Sequence, residues 1–339
     1  MLVLSILAST FFASLAFTWM LRNYAIKNSL IDIPNHRSSH SIPTPRGGGV
    51  AIVIATTISL CCFFFLDFIS LREILCFLGA GLLIAVIGFA DDHGHIPASF
   101  RLIFHFAAAA WGLYWLEGFP VITIFYEPID IGFLGEIFAL LYLVWLLNLY
   151  NFMDGIDGIA SIEAITVCVG ALILHFLTSD TQTWVIIATL LTAVSGFLIW
   201  NFPPAKIFMG DAGSGFIGLT LGLLSIHSAF FNPDFFIAWL ILLALFIVDS
   251  TLTLLRRICS GQKVHEAHRS HAYQYASRLF KSHKLISLSV GAINLCWLLP
   301  IALLVALGKY NSFVLLLIAY IPLVLAAIYF KAGATNQKV

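Results

Sequence analysis

An all-α, polytopic membrane protein with about eleven transmembrane helices is predicted by three observations. Sixty per cent of the 339 residues are hydrophobic and only 10% are charged, whereas a soluble domain carries about 25% charged residues. The apolar runs are long enough to span a bilayer, which takes roughly 20 residues per helix. The basic residues also fall on alternate loops between those runs. Residues 1–339 are predicted to form a single multi-span domain, with no soluble module, low-complexity tract or convincing internal repeat.

The predicted spans are 2–21, 48–66, 74–90, 102–116, 134–150, 161–178, 184–200, 213–231, 235–255, 285–305 and 313–330. The first has no basic segment before it, since Arg22 follows the apolar stretch, so it reads as a retained helix and not a cleaved signal. Span 102–116 is short, and span 134–150 runs directly into a polar motif. An odd number of spans puts the termini on opposite sides. If the loops after spans 1, 3, 5, 7 and 9 share a side with the C-terminal tail, every Lys and Arg except Arg72 and Lys309 lies there. Basic residues stay cytoplasmic, which predicts a periplasmic N-terminus and a cytoplasmic C-terminus. The six cysteines lie in or beside spans without metal-ligand spacing and read as small apolar residues.

The acidic residues of these inner loops come in groups near glycines, whereas those of the outer loops are scattered singly. After span 3 comes "GFADDHGHIPASFR", with Asp91 and Asp92 adjacent. Two carboxylates at the end of an apolar helix repel one another unless a cation or a proton lies between them. A magnesium–phosphate site or a general base would use such a pair, and a solvated loop would merely tolerate it. After span 5 comes "NLYNFMDGIDG", with Asn148, Asn151, Asp154 and Asp157 spaced by three. That spacing keeps neighbours on roughly one side of a helix, and Gly155 and Gly158 then permit a turn. A single helix cap would explain one of these residues but not four. Carboxylates and amide oxygens are hard ligands suited to magnesium.

After span 7, "MGDAGSG" places Asp211 among glycines where span 8 begins. Free N–H groups and a positive dipole end favour phosphate at such a position, although an ordinary glycine-rich cap has the same composition. The longest inner loop, 256–284, carries seven Lys or Arg and the histidines His265, His268 and His271, with Arg269 between the last two. Such a loop suits a multiply anionic ligand or simply anionic lipid. Arg46 precedes the triplet Gly47–Gly49 at the entry to span 2 and is a further candidate anion contact. Within the spans, His105 is expected near the site, and His175 and His227 are expected to make interhelical hydrogen bonds.

Acidic, amide, glycine and basic elements on one face of a membrane fit a single metal–diphosphate site, where a lipid and a soluble nucleotide can meet. At this point the motifs resemble a known family. "DDHGHIPASFR", "NLYNFMDGIDG", "MGDAGSG" and "HEAHRSHAYQ", in this order across residues 32–285, are similar to those of the polyprenyl-phosphate N-acetylhexosamine-1-phosphate transferases, the WecA/MraY superfamily. The spaced histidines resemble the O-antigen-initiating type; the peptidoglycan branch has consecutive histidines there.

The resemblance implies a bacterial inner-membrane enzyme with its active site on the cytoplasmic face. It would pass an N-acetylhexosamine-1-phosphate from a UDP-N-acetylhexosamine to undecaprenyl phosphate and release UMP. It further implies magnesium as cofactor, with manganese as a substitute, no nucleic-acid partner, and a homodimer as the candidate assembly. Asp211, with Asp154, matches the metal site. Asp91 and Asp92, with Asp154 and Asp157, match the catalytic acidic groups, Asp91 being the candidate to deprotonate or position the lipid phosphate. Asn148, Asn151, His265, His268, Arg269, His271 and Arg46 are expected to bind substrate. The contrasting reading is a secondary transporter, which would place its polar groups near the bilayer midplane.

Overall fold

The computed structural model describes residues 1–34, 42–94, 96–125, 127–178, 183–262 and 268–334. Helix α1 (Leu2–Lys27) leads into a short antiparallel ladder of β1 (Ile31–Asp32) and β2 (Thr44–Pro45), which pairs Ile31 with Pro45 and Asp32 with Thr44. Then come α2 (Val50–Phe65), α3 (Leu71–Ile74) and α4 (Ala80–His93), the last two joined by a π-helical turn at Leu75–Gly79 into one span. Next are α5 (Ala98–Leu116), the hairpin β3 (Ile122–Ile124) with β4 (Glu127–Ile129), and α6 (Phe133–Met153). The rest is helical: α7 (Ile159–Thr178), α8 (Trp184–Asn201), α9 (Asp211–Phe231), α10 (Phe235–Leu242), α11 (Ala244–Cys259), α12 (Ala272–Phe280), α13 (His283–Ile293), α14 (Leu299–Ala306) and α15 (Ser312–Tyr329). A second π-helical turn, Asn294–Leu298, joins α13 to α14.

The chain is therefore an all-α polytopic membrane protein, and each of the eleven predicted segments falls on helix. Among the described residues eight helices are long and apolar enough to cross a membrane, and the bent pair α10–α11, counted as one span, makes a ninth. The other two predicted spans are α2, which is apolar but has only 16 residues, and α5, which carries Arg101 and His105.

Two segments differ from the sequence reading. Span 235–255 is not straight: α10 and α11 meet at Leu243 with a bend of 70°. The two halves differ in character. All but one residue of α10 is buried, whereas α11 has an apolar face and a polar one that carries Asp249, Arg256 and Arg257. A helix of the second kind lies with its polar face turned away from the hydrocarbon. The basic stretch 256–284 is also not simply a loop, because it contains α12, whose apolar residues Ala272, Tyr273 and Ala276 are buried.

Helix α9 is the most deeply buried of the candidate spans and packs against α6 and α4. Small residues make this possible, since without a hydrophobic force between helices in lipid, packing depends on close backbone approach. A Cβ at Gly218 would stand 2.7 Å from the Tyr150 Cβ and 3.0 Å from the Leu146 carbonyl oxygen. A Cβ at Gly88 of α4 would stand 2.6 Å from the backbone nitrogen of Ala212. Buried polar groups are paired between helices as the sequence reading expects: His175 Nε2 meets Ser228 Oγ at 3.1 Å, and His227 Nδ1 meets Thr183 Oγ1 at 3.2 Å. The six cysteines are free thiols.

The turn after α15 folds back on the body of the protein. Gly333 N–H donates to the Ser270 carbonyl at 2.7 Å, and Arg256 Nη1 donates to the Ala332 carbonyl at 2.9 Å.

The α6–α9 seam gives a direct expectation. Gly218→Ala would overpack it and should lower stability by about 1–3 kcal/mol. Gly94→Ala should not, because the nearest atom to its added Cβ is 4.0 Å away. Thermal unfolding of the two purified variants distinguishes them.

Candidate active site

The candidate site lies where α4 and α6 end and α9 begins. Gly210, the residue before α9, has φ +79°, and a Cβ there would stand 2.5 Å from Asp92 Oδ2, so glycine is required on both counts. Its absent side chain lets the start of α9 close over the end of α4. Asp211 N–H then reaches Asp92 Oδ1 at 3.4 Å.

Arg46 arrives by a backbone ladder. Phe208 N–H donates to the Pro45 carbonyl, and Gly48 and Gly49 N–H groups donate to the Phe208 and Met209 carbonyls at 2.9 and 2.8 Å. This holds Arg46 with its Nη2 on the Asp92 backbone carbonyl and its Nε 3.9 Å from Asp92 Oδ1. Arg101, at the start of α5, bridges two carboxylates: its Nη1 is 2.5 Å from Asp91 Oδ2 and 2.7 Å from Asp211 Oδ2. Asp91 also accepts from Ile96 N–H.

From α6, Asn151 Oδ1 accepts from Ser214 Oγ at 3.2 Å. Asn148, one turn earlier, donates to the Val144 carbonyl and to His105 Nδ1. A narrow cleft is lined by Ile87, Gly88, Arg101, His105, Asn151 and Asp211.

The series of four polar residues does not continue along one helix. α6 ends at Met153, and Asp154 stands at its C-terminal cap. Asp157 lies in the following turn and faces other elements, accepting from Ala205 N–H at 3.0 Å with His283 Nδ1 3.2 Å away. Asp154 stays with the cluster. Desolvation, then the charges of Asp211, Asp92 and Asp157, push its carboxyl up to about 7.

The histidine segment forms an adjoining group. His271 is 3% exposed, and its Nδ1 is 3.3 Å from Asp249 Oδ1. The His268 ring stacks on it at 5.0 Å. Burial, then the His271 and Arg257 charges, lower His268 to about 3, so it is neutral near pH 7 and offers hydrogen bonds without charge. Arg269 is exposed, and its carbonyl accepts from Arg278. The Phe152 and His271 rings, 6.4 Å apart, connect this group to the α6 motif. His265 lies outside the described residues.

Asp91, Asp92, Asn151, Asp154, Asp211 and Arg46 thus come together, with Asn148 just beneath. Asp157 and His271 serve neighbouring contacts. Asp249 was missed: it sits inside a predicted span without a glycine beside it, although a carboxylate in an apolar run is itself a signal. Glu163 carries the same signal and is fully buried, accepting from Asn294 Nδ2 at 2.7 Å. Asn201 binds two loops together. Its Oδ1 accepts from Gly158 N–H, and its Nδ2 donates to the Ile207 carbonyl.

Among the described residues no three His, Cys, Asp or Glu side chains already form a cluster ready for a metal ion, and Asp211 turns to Arg101 instead. The chemistry nevertheless fits a hard divalent cation. Asp92, Asp154 and Asp211 are oxygen donors raised in proximity against their mutual repulsion, and Asp92 Oδ2 is buried without a hydrogen-bond partner.

Fold and site together define a polytopic membrane protein with an acidic, arginine-flanked cleft at its helix ends. Residues 74–229 match the glycosyl transferase family 4 profile. A decaprenyl-phosphate N-acetylglucosaminephosphotransferase of Mycolicibacterium smegmatis is 30% identical over 318 residues, covering 84% of this chain and 77% of that protein. A probable undecaprenyl-phosphate N-acetylglucosaminyl 1-phosphate transferase of Bacillus subtilis is 27% identical over 290 residues, covering 83% and 78%. A phospho-N-acetylmuramoyl-pentapeptide-transferase of Streptococcus pyogenes is 29% identical over 209 residues, covering 58% and 62%. The chain belongs to glycosyl transferase family 4, the group to which the four motifs point.

The repulsion around Asp154 has a measurable sign. Its folded-state value, about 7, lies above the ordinary 3.8, so the folded protein holds a proton that the unfolded chain gives up. Stability should therefore fall as pH rises from about 4 to about 7. In metal-free protein, Asp154→Asn should flatten the decline in melting temperature over that range.

Proposed function

We propose that the protein transfers an N-acetylhexosamine-1-phosphate from a UDP-sugar to undecaprenyl phosphate, giving undecaprenyl-diphospho-sugar and UMP, as the first membrane step of O-antigen or related surface-polysaccharide synthesis. The observation that carries this reading is the convergence of Asp92, Asp154 and Asp211 with Arg46 and Arg101 at the ends of three helices. A lipid phosphate and a soluble donor can both reach such a site. The names of the relatives support the polyprenyl acceptor and the phospho-sugar donor. We place the protein in the bacterial inner membrane with eleven crossings, counting α2 and α5. The alternation of Lys and Arg supports a periplasmic N-terminus and a cytoplasmic site.

In this reading the lipid phosphate oxygen attacks the β-phosphorus of the donor. The bond from that phosphorus to the UMP oxygen breaks, and UMP leaves with the electron pair. Asp211, Asp154 and Asp92 would hold magnesium, or manganese in its place. When bound, the ion supplies neutralisation of the diphosphate charge. Arg46 and Arg101 would attract the anionic ends of the substrates, and Asn148 and Asn151 would hold the donor with His265, His268, Arg269 and His271. Asp91 would position or deprotonate the lipid phosphate. Its carboxylate is held by Arg101, while Asp92 has the unpartnered oxygen, so the two are worth separating by mutation.

The test is UMP release from a panel of UDP-N-acetylhexosamines with undecaprenyl phosphate, with and without magnesium. UDP-N-acetylglucosamine comes first, because two relatives carry that sugar in their names. Release should require magnesium and lipid. Asp211→Asn should lower kcat on the order of 100-fold or more, the scale on which losing a stabiliser of transferring charge acts. Near-normal turnover of Asp91→Asn would move the base role to Asp92, and a sugar-phosphate adduct on the enzyme would replace direct attack by double displacement. No release with any donor would favour transport.

A further inference from the structure

Asp249 does not touch the cleft, yet it is wired to it. It is 5% exposed, inside α11, and nearly every acceptor position it has is used. Its Oδ1 accepts from Ala272 N–H at 2.9 Å and Thr253 Oγ1 at 3.2 Å, with His271 Nδ1 at 3.3 Å. Its Oδ2 accepts from Tyr273 N–H at 3.0 Å. Backbone N–H groups at the start of a helix have no partner within the helix, so this carboxylate supplies what the first turn of α12 lacks. Its charge also faces the positive end of the α12 dipole.

The wiring continues through Tyr273. Its hydroxyl donates to the Phe152 carbonyl at 2.9 Å, and a Cβ at Gly155 would collide with that hydroxyl. Phe152 and Gly155 lie on either side of Asp154, and Asn151 precedes them. One buried carboxylate therefore fixes the start of α12, and α12 fixes the stretch of backbone that presents Asn151 and Asp154.

We propose that Asp249 is a positioning residue: through Tyr273 it seats the 151–155 motif, and through His271 it seats the histidine segment against the same cleft. This rests on the transferase reading for its kinetic consequence but not for its structural one. A carboxylate that only stabilised the fold would lower yield or melting temperature without selecting between the two substrates. A positioning residue changes the donor side alone, because Asn151, Asp154 and the histidine segment are the elements it seats.

The experiment uses the full-length protein in detergent or nanodiscs and compares wild type, Asp249→Asn and Tyr273→Phe. Hydrogen exchange should rise at residues 152–155 in both variants, and at 271–275 in Asp249→Asn. For Tyr273→Phe, which removes one hydroxyl, kcat/KM for the UDP-sugar should fall roughly fivefold, as expected for one lost hydrogen bond, while KM for undecaprenyl phosphate and the melting temperature hold. Wild-type exchange at 152–155 in Tyr273→Phe would overturn the proposal, as would equal losses toward both substrates. If Asp249→Asn does not fold, Tyr273→Phe decides alone. If the wild type transfers no sugar from any donor, the transferase reading fails, and the exchange pattern still decides whether Asp249 seats the motif.

Discussion

The close approach of α4 to the first turn of α9 is the constraint on which the rest of the site depends. Gly88 leaves no room for a side chain against Ala212, and Gly210 leaves none against Asp92. Those contacts force Asp92 and Asp211 together, although both would be better solvated apart. The arginines follow from the same need. Arg101 spans Asp91 and Asp211, and Arg46 stands on Asp92. Proteins accept such local conflict mainly where function requires it, and here the conflict is confined to one end of the bundle. Away from it, the interior polar groups are mostly matched in pairs, as with His175 and Ser228.

Around the carboxylates, the connecting loops are fixed by side chains that face away from the cleft. Asp157 ties the turn after α6 to Ala205 and His283, and Asn201 ties Gly158 to Ile207. Sites built on rigid elements hold their geometry better than sites on free loops. This chain obtains that rigidity at a membrane surface by making each loop the anchor of another.

Much of this was legible in the sequence because hydrophobic runs and charge alternation are long-range, redundant signals. All eleven segments are helical, and the residues at 91, 92, 151, 154 and 211 do converge. The pairings of His175 and His227 were also legible, since a polar group in an apolar span must find a partner. What escaped was decided by tertiary contact. The 70° bend at Leu243 has no proline or glycine to announce it. The three-residue spacing of Asn148 to Asp157 says nothing of where α6 stops, so it does not reveal that Asp157 lies in the following turn, against Ala205 and His283. Asp249 and Glu163 are hidden in the sequence by their apolar neighbours, and Arg101 carries no local signal because its two partners, Asp91 and Asp211, lie on α4 and α9.

The turn that follows α15 has an implication for biosynthesis. Gly333 bonds to Ser270, and Arg256 to Ala332, so the histidine segment is braced by residues that emerge more than sixty positions later. While the chain is being threaded into the bilayer, the carboxylates on α4, α6 and α9 can assemble as soon as those helices meet. The brace on the neighbouring histidine segment forms only once α15 has entered. A partly inserted chain thus carries the acidic group before the histidine segment beside it has gained this brace.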